Sequence, residues 1–140
     1  MTEPRSVPDE LRLIEEDHAL FKRLIERLQE TLSASRPADE IGGRKAALLS
    51  HLDAHMEFEE RLMLERGYPL AFSHAQEHKG FHDQVTAVLD GLKSGTVTPA
   101  NLDKLLLRVH DHHIKSHDTI FCRFLGDRYS LQEVDEGGGI

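Results

Sequence analysis

The sequence predicts an all-α protein, folded as an antiparallel up-down-up-down four-helix bundle in a single domain over residues 1–140. Apolar residues recur at three- and four-residue steps in four separate segments, which is the spacing of one buried helix face. Proline or glycine interrupts the chain between these segments, and the connections are short, so consecutive helices are expected to pack antiparallel. The alternation of apolar and polar residues that is typical of half-buried strands is scarce.

The first helix is predicted over residues 7–34. Ser6 supplies a capping hydroxyl, and Pro8 and Asp9 suit the first helical turn. The predicted end lies shortly before Pro37, which a helix interior would not tolerate. The inner face consists of Leu11, Ile14, Phe21, Leu24, Ile25, Leu28 and Leu32.

The second helix is predicted over residues 40–66, because Gly67 is a natural stop. The third is predicted over residues 69–93, since Pro69 suits a first helical position and Gly95 follows the last apolar position. The inner faces carry Leu48, Leu52 and Leu62 in the second helix and Phe72, Phe81, Val85, Val88 and Leu92 in the third.

The fourth helix is predicted over residues 99–126, with Thr98 as the cap and Pro99 in the first turn. The tail at 133–140 contains three consecutive glycines and is predicted to be disordered. The inner face of the fourth helix consists of Leu102, Leu106, Val109, Ile120 and Phe124.

Composition excludes several classes of partner. The formal net charge is −8, and an acidic chain repels nucleic acid and anionic membrane surfaces. The apolar runs are far shorter than the roughly 20 residues of a membrane span, so we expect no membrane partner. Cys122 is the only cysteine, which excludes an internal disulfide and a thiolate-rich metal site. A cytoplasmic location is therefore expected, and the oligomeric state stays open.

Histidines occupy inner positions on all four predicted helices. The chain has ten histidines, and histidine is a frequent metal ligand. Burying this many imidazoles without partners would cost roughly 1–3 kcal/mol each. A shared metal would remove that cost, so we predict a metal site in the bundle core. The inward-facing candidates are His18 on the first helix, His55 and Glu59 on the second, His74 and His78 on the third, and His113 on the fourth.

The donor types narrow the choice of metal. Imidazole and carboxylate without thiolate suit iron, manganese or zinc. A ferritin-like di-iron site requires a Glu-x-x-His pair on each of two helices. Glu15-x-x-His18 is the one pair that fits this pattern, so the predicted site is richer in histidine than a ferritin-like one.

Four motifs in order resemble the hemerythrin family over about residues 10–125. The run His55-Met-Glu-Phe-Glu59-Glu-Arg-Leu-Met63 is similar to the family signature His-Phe-x-x-Glu-Glu-x-x-Met. Several motifs in fixed order are far more specific than any one of them. The others are Ile14-Glu-Glu-Asp-His18, Tyr68-Pro69 with His74-x-x-x-His78-x-x-Phe81, and His113-Ile114-x-x-x-Asp118.

The resemblance implies two iron ions, in the Fe2+ or Fe3+ state and bridged by an oxo or hydroxo group. One iron would keep an open position at which O2 binds reversibly, for oxygen storage, delivery or sensing. The implied ligands are His74, His78 and His113 on one iron, His18 and His55 on the other, and Glu59 and Asp118 bridging both.

Helical spacing and the family pattern disagree at one ligand. Asp118 follows His113 by five residues, which is roughly 140° around a regular helix. Spacing alone favours His117, whereas the resemblance favours Asp118. A local π-helical widening near residues 113–118 would reconcile the two, and such widening is common at functional sites.

The predicted pocket departs from the family. His110 stands where hemerythrins usually carry a leucine that lines the O2 pocket, and it could contact the bound ligand or point to water between the helices. The predicted pocket residues are Phe21, Met56, His110 and Ile114, with His51, His82 and His117 as a possible second layer.

Because of His110, the sequence supports three functional hypotheses. The first hypothesis is reversible O2 binding. The second is a di-iron enzyme that acts on peroxide or NO, with His110 as its acid–base group. The third is an iron-handling protein without gas chemistry.

Overall fold

The computed structural model describes residues 6–127. The tail at 133–140, which the sequence predicts to be disordered, lies outside the described residues. Residues 119–127 continue the last segment as α-helix. The elements are α1 (Val7–Ser33), α2 (Ala38–Glu65), α3 (Ala71–Ser94), α4 (Leu102–His113) and a π-helical segment (Ile114–Asp118).

The four helices form a closed ring of neighbours. α1 packs against α2 and α4, and α3 packs against the same two helices. The connections between them are short, which gives consecutive helices opposite directions. The predicted all-α up-down bundle is therefore confirmed. Within residues 6–127, no helix is both long and apolar enough to cross a membrane.

Local hydrogen bonds set where the helices begin. The Ser6 hydroxyl accepts from the N–H of Asp9 at 3.2 Å, so α1 begins with the predicted cap. The third and fourth helices begin later than predicted, because tight turns precede them. The N–H of Ala71 donates to the carbonyl of Tyr68, and that of Asn101 donates to the carbonyl of Thr98. The prolines in these turns consequently precede the helices.

Two apolar cores divide the bundle interior. The first includes Phe21, Leu52, Phe81 and Leu106, and the second includes Ile14, Leu62, Met63, Tyr68, Phe121 and Leu125. On every helix, histidine or carboxylate residues that are buried or half-buried lie between the two cores. The polar layer is thus covered by apolar side chains at both ends.

Two residues predicted to face the core are exposed instead. Phe72, in the first turn of α3, is 78% exposed, and Ile120 is 46% exposed. Ile120 is displaced because the π-helical segment inserts one extra residue into the helix repeat. The buried positions after His113 are therefore Asp118, Phe121 and Leu125.

Candidate metal centre

Seven side chains converge in the polar layer as two overlapping groups. Within each group, one ligand-type atom per residue lies within 4.8 Å of all the others. Glu59 and Asp118 belong to both groups, so the arrangement could hold two cations that share two carboxylates. The first group is Glu59, His74, His78, His113 and Asp118, and the second is His18, His55, Glu59 and Asp118.

The two oxygens of Asp118 face different histidines. Oδ1 lies 3.1 Å from His74 Nε2 and 3.0 Å from His113 Nε2. Oδ2 lies 2.7 Å from His18 Nε2, on the side of the second group. Asp118 could therefore offer one oxygen to a cation in each group.

A π-helical segment brings Asp118 to this position. The five residues Ile114–Asp118 are wound as a π-helix, which confirms the predicted widening. The extra residue turns Asp118 inward, where it is 1% exposed. His117 turns outward, and its Nε2 lies 3.2 Å from Glu77 Oε2. His117, which spacing alone favoured, belongs to neither ligand group.

Glu59 is the second shared carboxylate and is fully buried. Its Oε1 lies 3.3 Å from His55 Nε2 and 3.3 Å from His78 Nε2. These histidines belong to different groups, so Glu59 also stands between them. Its position four residues after His55 on α2 places both side chains on one helix face.

Unpaired polar atoms at the centre fit bound cations. Several buried nitrogens and oxygens in the two groups make no hydrogen bond to any residue among 6–127. Leaving each unsatisfied costs about 1–3 kcal/mol, and metal coordination would remove this cost. The donors are nitrogen and oxygen alone, a set that suits iron, manganese or zinc. The unpaired atoms are His55 Nε2, both carboxylate oxygens of Glu59, both ring nitrogens of His78, and His113 Nε2.

The surrounding histidines favour the ionised form of both shared carboxylates. Burial acts to raise the pKa of Asp118, but the close imidazoles of His113, His18 and other histidines hold that pKa far below its usual range. Burial also acts to raise the pKa of Glu59, but the nearby imidazoles of His55 and His78 outweigh it and lower that pKa. Burial likewise opposes the charged form of His55, yet its carboxylate neighbours raise the pKa of His55 well above the usual value.

Asp17 orients His55 from outside the two groups, and sequence reasoning missed it. Its Oδ2 accepts a hydrogen bond from His55 Nδ1 at 2.9 Å. This bond leaves Nε2 of His55 directed toward Glu59. The Asp17 carbonyl accepts a second hydrogen bond, from His51 Nε2 at 2.9 Å. Among four consecutive polar residues, nothing in the sequence marks Asp17 as the one that reaches across to α2.

A small cavity adjoins the second group. Its volume is about 10 Å³, enough for one water-sized molecule. It touches three of the four members of the second group and none of the three histidines specific to the first. The lining residues are Asp17, His18, Phe21, His51, Leu52, His55, Phe81, His110 and Asp118.

Two of the four predicted pocket residues line this cavity. Phe21 and His110 line it, whereas Met56 and Ile114 do not. Met56 follows His55 by one residue, about 100° around the helix, and lines a surface groove beside His78 instead. The cavity walls also include Leu52 and Phe81, which sequence reasoning did not nominate.

The second-layer histidines have separate positions. His51 lines the cavity, with its Nε2 bonded to the backbone. His82 is 37% exposed at its side chain and lies 3.4 Å from Asp53 Oδ1, outside the centre.

His110, one of the predicted pocket residues, is 3% exposed. Burial, together with the charges of His18 and Lys22, lowers the pKa of His110 to about 3, so its imidazole is neutral.

The fold and the centre together define a class: a four-helix bundle whose core carries the donors for cation binding. The family follows from the sequence match. Residues 9–125 match the family model described as the hemerythrin HHE cation binding domain, and the chain belongs to this family. The resemblance found in the sequence motifs is thereby confirmed. No curated protein and no solved structure matches the chain significantly.

Proposed function

We propose that this chain is a non-haem di-iron protein that binds O2 reversibly at the metal held by His18 and His55. The asymmetry of the two ligand groups carries the proposal. Three histidines accompany the shared carboxylates in the first group and two in the second, and the cavity borders both histidines of the second group and none of the first.

The donor count supports an open position beside the cavity. The first group offers five donors and the second offers four. A bridging hydroxo group would raise these to six and five. Histidine–carboxylate iron sites with an open coordination position are typical of proteins that react with O2. The open position would therefore fall on the second metal, next to the small cavity.

The surroundings of the cavity suit a small, weakly polar guest. Phe21, Leu52 and Phe81 form the apolar part of its walls. Five imidazoles, which are neutral when they bind metal, with only two carboxylates donate less negative charge to the metals than carboxylate-rich sites do. We take this ligand balance to favour release of O2 over cleavage of its bond.

The test is the visible absorption of the reduced, iron-loaded protein on exposure to air. Reversible binding predicts a new band that disappears when O2 is removed and returns when it is readmitted. His18→Ala should abolish the reversible band, and His82→Ala should retain it, because His82 lies outside the centre. A wild-type spectrum that does not respond to O2 would contradict the proposal.

A second candidate is a di-iron enzyme that consumes peroxide or NO. The observation that favours it is His110, a buried imidazole in the wall of the cavity. This candidate predicts rapid oxidation that vacuum does not reverse, slowed by His110→Leu. Iron uptake without any response to O2, peroxide or NO would favour an iron-handling protein instead.

A further inference from the structure

His110 occupies a position in the cavity wall where an apolar side chain would fit. It lies on the inner face of α4, three residues before His113. Its ring centroid is 4.6 Å from that of Phe21 and 6.2 Å from that of Phe81. The ring of His18 approaches it edge-on at 5.6 Å. The imidazole therefore lies between the aromatic wall and the second ligand group.

His51 and His110, the two cavity histidines outside the ligand groups, differ in their hydrogen bonding. His51 donates through Nε2 to the Asp17 carbonyl, a bond that gives this half-buried residue a structural role. His110 Nδ1 is buried and makes no hydrogen bond within residues 6–127. An unpaired polar atom destabilises the folded state, whereas leucine at the same position would not. His110 thus has a cost to stability without a structural bond to offset it.

The missing bond could be supplied by a guest in the cavity. A neutral imidazole has one N–H donor and one acceptor nitrogen. A ligand on the second metal would extend into the cavity that His110 lines. The cavity has room for one water-sized group, such as the outer end of a ligand bound to the metal. One that accepts or donates a hydrogen bond would satisfy the ring.

We propose that His110 makes this cavity a hydrogen-bonding subsite for small polar or anionic ligands of the second metal. The ligand class is that of azide or hydrogen peroxide, which have hydrogen-bonding ends, rather than apolar gases alone. His110 is then a specificity-determining residue. The inference rests on the proposed function for the bound metal but not for its O2 chemistry.

The first test is azide binding to the ferric, iron-loaded protein, measured by titration with visible absorption as the readout. His110→Leu should weaken azide binding about tenfold, the effect of one lost hydrogen bond of about 1.4 kcal/mol. His110→Gln retains a polar end and should recover part of the affinity. His82→Leu is the control and should match wild type. Equal azide affinity in wild type and His110→Leu would overturn the proposal.

Thermal unfolding of the metal-free protein separates this role from a structural one. His110→Leu should raise Tm by several degrees, because it removes the unpaired buried nitrogen. His51→Leu should lower Tm, because it breaks the bond to the Asp17 carbonyl. A lower Tm for His110→Leu with unchanged azide affinity would identify His110 as a structural residue and overturn the proposal.

Metal uptake distinguishes failure of this inference from failure of the proposed function. If the protein takes up cobalt(II) but not iron, the di-iron proposal fails, and the azide comparison on the cobalt form still tests His110. If it takes up neither metal, both proposals fail.

Discussion

At the scale of single residues, the centre depends on a carboxylate that is not among its candidate ligands. Asp17 accepts the Nδ1 proton of His55, which fixes the ring tautomer and leaves Nε2 free to coordinate. Such outer carboxylates orient a ligating imidazole and increase its basicity. Loss of this one should therefore weaken metal binding without removing any donor from the two groups.

Asp17→Ala should lower metal affinity about 10- to 100-fold, and Asp17→Asn, which keeps an acceptor but loses the charge, should lower it less. Competition with a chromophoric chelator measures both. Asp53→Ala is a matched control, because the Asp53 carboxylate faces His82 outside the centre. If Asp17→Ala and Asp53→Ala bind metal equally well, Asp17 has no positioning role.

Cys122 is expected to be an unreactive thiol in the folded, metal-free protein. Burial, with the nearby charges of Glu59 and Asp118, raises its pKa to about 12. Thiolate is the reactive form, so iodoacetamide at pH 8 should react at least about a hundredfold more slowly in buffer than in urea. Glutathione under the same two conditions corrects for the effect of urea. Equal rates for folded and unfolded chains would show that the thiol is accessible and ionisable.

At the scale of elements, the π-helical segment decides which residues of the last helix face inward. Continuing a regular helix from His113 predicts inner positions at His117 and Ile120. The structure buries Asp118 and Phe121 instead, one residue later in each case. Spacing rules assume a constant 3.6 residues per turn, so they cannot detect this shift. The family motif did detect it, because His-Ile-x-x-x-Asp contains the five-residue step.

Replacement of a glycine by alanine should have opposite effects on stability at two positions of α3. Gly80 is exposed, and a Cβ there would meet nothing within 4 Å. Gly80→Ala should therefore stabilise the helix by about 1 kcal/mol. A Cβ on Gly91 would overlap Val97 Cγ2 and lie 2.9 Å from Thr96 Oγ1. Gly91→Ala should destabilise by about 1–3 kcal/mol.

Thermal unfolding of the two metal-free glycine variants gives this comparison directly. Each serves as the other's control, because both substitutions remove the same backbone freedom from one helix. A higher Tm for Gly91→Ala than for wild type would show that the turn after α3 does not pack as described.

At the scale of the whole molecule, the bundle holds a polar layer between two apolar cores. Hydrophobic spacing predicted the four helices, and their antiparallel order followed from short connections. The ligand candidates could be nominated from the sequence because the family motifs that contain them have fixed spacing. The cavity could not be predicted in full, since the rotation of each helix determines whether Met56 or Leu52 faces it. The role of Asp17 depends on the same rotation.

The polar layer should couple metal binding to stability. Ionised Glu59 and Asp118 are buried together with unpaired imidazole nitrogens, and cations would neutralise and satisfy them. Metal at a hundredfold excess over Kd should raise Tm by about 10 °C. His82→Ala should keep this shift, and His74→Ala should lose much of it. Equal Tm with and without chelator would contradict the coupling.

The number of iron ions bound per chain tests the central claim most directly. Anaerobic titration of the metal-free protein with Fe(II), followed by removal of unbound metal, would give this number. Two overlapping ligand groups predict two ions per chain in wild type and one in His18→Ala, since His18 belongs to the second group alone. A wild-type protein that saturates at one ion, or binds none, would contradict the dinuclear centre.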